Sequence, residues 1–366
     1  GIDYTMKVTN ASRIEVREKK LDIIADYMAS SQKAKIQYAS KHARSANYYK
    51  NAIGQNQALE KLGIVAQKKE LEDEFTAWVN ANADRKSKYG EALKLIEDNY
   101  KDIETSKARQ YMVEALLMGP EIFMFANRAQ PLTKLLEDPK ANAEKIAKLT
   151  ERIKKSMDGY FKDYSAETDQ KVVAALLKIY ADKNSSKFHP TIYSDIQGKY
   201  KGDFEKYSAK MFQKSVFDNK AEMEAFLNNP SLKVLEKDMA FQAASAIFEK
   251  YGEISKELAA GGKELAKGRR LFVAGLMEMK PNKDFYPDAN STMRLSYGKV
   301  SDYDPRDGVT YKYYTTTDGY LEKEIPGDYE FDVPSRMKEL LLDKNYGQYA
   351  HSDGKLRTCF LTDNDI

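Results

Sequence analysis

A thiol nucleophile is the first chemistry to look for here, since the chain carries one cysteine, Cys359, and three histidines, His42, His189 and His351. A thiolate needs a base within hydrogen-bond reach, and His351 is the nearest in sequence. Cys359, however, falls in the alternating run 355–362, where an unpaired cysteine behaves as a small buried hydrophobe, so burial rather than catalysis is expected. His42 stands between Lys41 and Arg44 and is expected to be solvated; His189 precedes Pro190 and is expected to serve a turn. One cysteine excludes a disulfide framework and any CxxC-type zinc site, and neither a metal nor a cofactor is expected. Carboxylates are abundant, but no pair is singled out by spacing for acid/base work. No GxxxxGK[ST] or GxGxxG segment is present, so nucleotide binding has no positive support.

A set of amides is more informative. Asn47, Asn51 and Gln55 fall at i, i+4 and i+8, which places three amides on one helical face, with Tyr48 and Tyr49 beside them. Asparagine disfavours helix interiors because it competes for backbone hydrogen bonds. Two of them on one face therefore ask for a partner, and a peptide or its terminal amine would serve. Taken alone, the pattern is explained more simply by an exposed or inter-helix hydrogen-bonding face.

The element that carries these amides is predicted to be long. Ser12 with Glu15 reads as a capping box, and Ile14, Arg17, Leu21, Ile24 and Met28 follow at spacings of three and four. Helical propensity continues to about Ile53, which at 1.5 Å per residue makes an element of about 60 Å. Further helices are expected over 65–84, from near Ala92, Ala108 and Pro120, and over 231–279 with an interruption at Gly261-Gly262. Composition shifts at Lys280-Pro281-Asn282, from Ala, Lys, Glu and Leu to Tyr, Thr, Asp, Gly and Pro. Beyond it, Met293, Leu295 and Tyr297 alternate with Thr292, Arg294 and Ser296 as in a half-buried strand. Runs 309–314 and 355–362 look similar, with turns expected at Asp304-Pro305, Asp318-Gly319, Pro326-Gly327 and Asp353-Gly354 and a helix over 335–343.

The expected architecture is therefore mainly α: a large helical domain over 1–281 followed by a partial antiparallel β segment over 282–366. So few strands leave open edges that need partners, and both ends of the sequence read as cuts through a longer polypeptide. Two domains suit the length, because single cores rarely grow past about 250–300 residues. Lys+Arg 59 against Asp+Glu 56 makes a nearly neutral surface, which argues against a nucleic-acid partner. No apolar run approaches the roughly 18 residues of a membrane span.

Several segments carry a resemblance to a known family. Phe285-Tyr-Pro-Asp-Ala-Asn-Ser-Thr-Met-Arg-Leu-Ser-Tyr-Gly-Lys-Val300, Tyr313-Tyr-Thr-Thr-Thr317 and Cys359-Phe-Leu361 with Asn364-Asp-Ile366 resemble the second peptidase segment of the bacterial dipeptidyl-peptidase 7 and 11 family. Ile36-Gln-Tyr-Ala-Ser40 and Ala46-Asn-Tyr-Tyr-Lys-Asn-Ala-Ile-Gly54 resemble its helical domain. The resemblance implies a chymotrypsin-like double β-barrel interrupted by a helical cap, and a serine peptidase that releases dipeptides from the free N-terminus of oligopeptides.

It also implies that the His and Asp of the triad precede this chain and the Ser follows it, so the 366 residues alone are expected to be inactive. An asparagine of the helical domain is expected to hold the substrate's amino terminus; this role carries over to Asn47 first and Asn51 second. Tyr49 stands where the family pattern suggests a tryptophan. A periplasmic or cell-surface location in a Gram-negative bacterium follows from the resemblance alone, and dimerisation of the parent stays open. The competing expectation is a non-enzymatic helical scaffold that binds peptides or proteins through the Asn47/Asn51 face.

Overall fold

A computed structural model describes residues 1–285, 290–293, 295–328 and 330–364, and every structural statement below concerns these. The chain divides into two compact units, Gly1–Lys283 and Asp284–Ile366.

The first unit is helical. Its opening element begins before Ser12: a π-helical segment, Thr5–Asn10, runs directly into the helix Ala11–Ser30. Ser12 is therefore no N-cap. It is buried inside the helix, and its hydroxyl donates to the Thr9 carbonyl at 3.0 Å. Glu15 instead faces neighbouring helices, accepting from the Tyr111 hydroxyl at 2.7 Å and pairing with Lys183 at 2.8 Å.

The long helix expected to reach Ile53 is broken at Ser31. That residue is extended (φ −167°, ψ 159°), and its Oγ accepts the Ala34 N–H at 3.1 Å, capping a second helix, Gln32–Lys61. The two helices pack on each other, with the Tyr27 and Tyr38 rings edge to face at 5.1 Å and the Tyr27 hydroxyl donating to Gln37 at 2.9 Å. A serine that can satisfy orphan N–H groups thus converts one rod into a hairpin. The helix expected over 231–279 breaks at Gly261-Gly262 as expected, and it is also divided near its start by an acidic cap. Asp238 accepts the Phe241 N–H at 2.9 Å and starts Met239–Ala259, and Gly262–Met279 follows.

Behind the hairpin lies the main core, where Met112, Leu116, Ile122, Phe123, Phe125, Leu176, Tyr180 and Phe217 are almost fully buried. A smaller cluster gathers Phe75, Val79, Tyr89 and Ala92 against Phe272. Gly275 makes this contact possible, since a Cβ there would lie 2.5 Å from the Phe75 ring.

The second unit contains two separate two-stranded antiparallel sheets. Strand β1 (Tyr303–Arg306) pairs with β2 (Val309–Tyr311), and β3 (Tyr314–Thr316) pairs with β4 (Arg357–Phe360) in the register Thr315 opposite Cys359. Three expectations fail here. Among the described residues, 292, 293 and 295–297 form no strand, and Met293 is 99% exposed; Arg294 lies outside the described residues. Asp304-Pro305 sits within β1, an edge position that tolerates a missing N–H, while the turn falls at Gly308 with φ 74°. Asp318-Gly319 opens a short helix, Asp318–Glu322, rather than a turn. The helix expected over 335–343 is present as Ser335–Leu342.

Candidate functional site

The thiol candidate dissolves on inspection of its surroundings. Cys359 is exposed on β4, not buried as expected. Its sequence neighbour His351 has its Nδ1 3.2 Å from Ser352 Oγ and 3.5 Å from Asp353 Oδ1. Both contacts fall on one ring nitrogen, whereas a relay needs base and orienting carboxylate on opposite nitrogens. His189 Nε2 is 3.0 Å from the Asn184 carbonyl, and the ring packs 4.6 Å from Tyr193. No cluster of three or more potential metal ligands is found among the described residues.

The hairpin helix Gln32–Lys61 offers more. Lys41, Arg44, Ser45 and Tyr48 recur at i, i+3, i+4 and i+7 and form one wall of a cavity of about 580 Å³. Arg17, Lys20 and Ile24 of the preceding helix form a second wall; Leu117, Met118, Pro120, Glu121, Met124, Phe125, Arg128 and Tyr160 complete it. Five of these residues are basic and one is acidic. The cavity has the volume typical of small-ligand sites, which run from about 300 to 1,000 Å³.

Three of the five cations are held. Arg17 pairs with the buried carboxylate of Glu114 at 2.8 Å and lies 4.7 Å over the Tyr48 ring. Lys41 binds Glu121 at 2.7 Å and also reaches the Asp163 carbonyl. Lys20 donates to the carbonyls of Gly119 at 2.5 Å and Met118 at 3.3 Å; burial depresses its pKa.

Beneath the floor, Asp169 anchors the turn that delivers Glu121. Its two carboxylate oxygens each accept a backbone N–H, from Glu121 and from Ile122, at 2.8 Å. The residue is 3% exposed, and burial together with the nearby Glu121 charge pushes its pKa up to about 7 despite those two bonds and Lys20. The Tyr38 hydroxyl donates to Glu121 at 3.2 Å and accepts the Ser165 N–H at 3.1 Å; burial pushes its pKa well up. Tyr160 stacks on Phe125 with ring centroids 3.9 Å apart.

The sequence-predicted amides lie on the flank of this cavity's wall rather than among its lining residues. Asn47 and Asn51 are both exposed, and neither side chain is engaged in a hydrogen bond. Gln55 is engaged, accepting from Asn10 at 2.9 Å, so the inter-helix alternative holds for that amide. The basic lining was within reach of sequence reading, since 41, 44, 45 and 48 share one helical face. The Glu121–Asp169 contact was not, because it joins residues 48 positions apart.

The chain thus has a helical unit with a basic cavity, followed by a unit of short antiparallel strands. The peptidase S46 family profile matches residues 1–366, and the chain belongs to this family. Dipeptidyl-peptidase 7 of Porphyromonas gingivalis is 37% identical over the whole chain, and an Asp/Glu-specific dipeptidyl-peptidase of the same organism is 32% identical over 98% of it. The crystal structure of Porphyromonas endodontalis DPP11 in complex with the dipeptide Arg-Glu superposes with a TM-score of 0.80 at 31% identity, covering 99% of this chain and 52% of that one. The chain spans about half the length of the curated relatives it matches.

Proposed function

We propose that these residues are the helical cap and part of a chymotrypsin-like barrel of a serine dipeptidyl aminopeptidase that releases dipeptides from the free N-terminus of oligopeptides. The observation that carries this reading is the family match over all 366 residues at up to 37% identity to dipeptidyl-peptidases. In it the helical unit, ending near Pro281, gates the substrate, and the strands from 282 onward are part of the second barrel. Ser, His and Asp of the triad lie on polypeptide outside this chain. Placement in the periplasm or at the cell surface, and dimerisation of the whole protein, belong to the same reading.

Asn47 and then Asn51 receive the substrate's ammonium. An ammonium presents three donors and needs fixed acceptors, and an amide oxygen on a packed helix is held with little freedom. The exposed, unengaged state of both side chains leaves that acceptor open.

The test uses the full-length protein that contains this chain. It should cleave a tetrapeptide with a free amine and leave its N-acetylated counterpart intact, while the 366 residues alone hydrolyse neither. Asn47→Ala should cost about 1–3 kcal/mol of binding to the free amine, read as a roughly 5- to 150-fold loss in kcat/KM. Equal cleavage of both peptides would remove the aminopeptidase reading. An unchanged kcat/KM in the variant would remove Asn47 from the site.

A further inference from the structure

The cavity on the hairpin has a charge imbalance that its neighbours do not correct. Its acidic lining residue, Glu121, is committed to Lys41 at 2.7 Å and to the Tyr38 hydroxyl. Arg17 is committed to Glu114 at 2.8 Å. Arg44 makes no ion pair or hydrogen bond, and Arg128 has only the Phe125 ring, 5.7 Å from its guanidinium carbon. Guanidinium groups left without a carboxylate at the mouth of a concave site raise the local concentration of anions there.

A second observation is independent of charge. Ser45 lines the same cavity and is 5% exposed, yet its hydroxyl has no hydrogen-bond partner. A buried hydroxyl left unpaired costs free energy, and an acceptor entering the cavity would remove that cost.

The remaining surface sets the body of the ligand. Met118 and Met124 are exposed at 61% and 50%, and Leu117, Phe125 and the Tyr48 ring lie beside them. Thioether side chains at an open rim adapt to chains of varied shape. A bare inorganic anion would leave this apolar surface in water. A carboxylate on a flexible, partly apolar chain satisfies both halves of the site.

The geometry points to an acidic-peptide subsite on the helical unit, in which Arg44 and Arg128 hold a side-chain carboxylate, Ser45 donates to it and Met118, Met124 and Tyr48 cover the adjoining apolar residues. No covalent step is involved. The assignment does not depend on the aminopeptidase reading, because it concerns binding by these 366 residues and a carboxylate rather than an amine.

The experiment is calorimetric titration of the 366-residue chain with N-acetyl-Leu-Glu-Leu-amide and with its Gln counterpart. Blocking both termini leaves the Glu side chain as the single charge and removes any contribution from amine capture. The Glu peptide should bind about tenfold more tightly than the Gln peptide, as a charge-assisted pair allows, and the preference should shrink as salt rises. Arg44→Gln and Arg128→Gln, both exposed positions and both checked for unchanged helicity, should each reduce the preference severalfold and together abolish it. Ser45→Ala should reduce it less.

Equal binding of the two peptides, absence of binding by either, or a preference untouched in the double arginine variant would each overturn the assignment. Decanoate serves as the other source of a carboxylate on an apolar chain. Binding of decanoate with the same arginine dependence, without binding of the Glu peptide, would overturn the peptide assignment in favour of a lipid carboxylate.

Discussion

The two units solve the burial problem differently. Residues 1–283 enclose their large side chains: Phe123, Phe217, Leu176 and Tyr180 have essentially no exposure. Within 284–366, Thr317 and Leu341 alone are buried among the described residues, while Met293, Tyr297 and Phe360 are 99%, 83% and 69% exposed. Helices close their own backbone hydrogen bonds and need partners only for side chains. Strands need partners for both, and two-stranded sheets are at best marginal alone. The helical unit is therefore self-sufficient in a way that the second unit is not.

Amide hydrogen exchange reads this difference most directly. Protection in the Ala166–Lys183 helix should reach at least about 10⁴-fold, approaching the global stability of an ordinary domain. Amides of β3 and β4 in the same sample should exchange within roughly 100-fold of the free-peptide rate. Equal protection of Thr315 and Leu177 would abolish the contrast.

Truncations sharpen it next. Phe217 sits within about 6 Å of the rings of Phe125, Phe226 and Phe241, and Phe217→Ala should cost about 3–5 kcal/mol in urea denaturation. Leu341→Ala removes the largest buried apolar group of the second unit and should cost about 2 kcal/mol or less, since so little surrounds the cavity it leaves. Comparable losses from the two would mean that the second unit packs as tightly as the first.

The same contrast explains what the sequence disclosed. Helix formation was legible over most of 1–283 because apolar stripes at spacings of three and four and few prolines all point one way. The break at Ser31 was not, since propensity on both sides favours continuation and the deciding contacts, Tyr27 to Tyr38 and Gln37, become visible only once the chain has doubled back. In 284–366 the period-two pattern at 292–297 was real, but alternation specifies a strand only where a partner edge receives it. On the flank of the cavity wall, Asn47 and Asn51 were readable as one helical face and both are exposed. Arg128, Glu121 and Asp169 come from distant helices and had no local signal.

The smallest effect separates the units by their response to pH. In the second unit Asp318 and Asp353 are held below the usual carboxylate range, Asp318 chiefly by Lys355 and Asp353 by the Lys355 backbone N–H. Groups of this sort lend stability above the unfolded pKa and lose it as pH falls. Asp169 in the first unit has the opposite sign, since burial and Glu121 raise it to about 7 from 3.8. Between those values the folded state binds more protons at Asp169 than the unfolded state does, so stability falls as pH rises through the window. Asp169→Asn keeps one acceptor for the N–H groups of Glu121 and Ile122 and removes the titration. It should cost about 1–2 kcal/mol near pH 4, with the difference from the unmodified chain shrinking as pH rises and changing sign before pH 7, because a shift from 3.8 to about 7 outweighs that cost. Parallel stability profiles for the two proteins across that range would mean that Asp169 stays ionised throughout, its two N–H bonds and Lys20 outweighing burial.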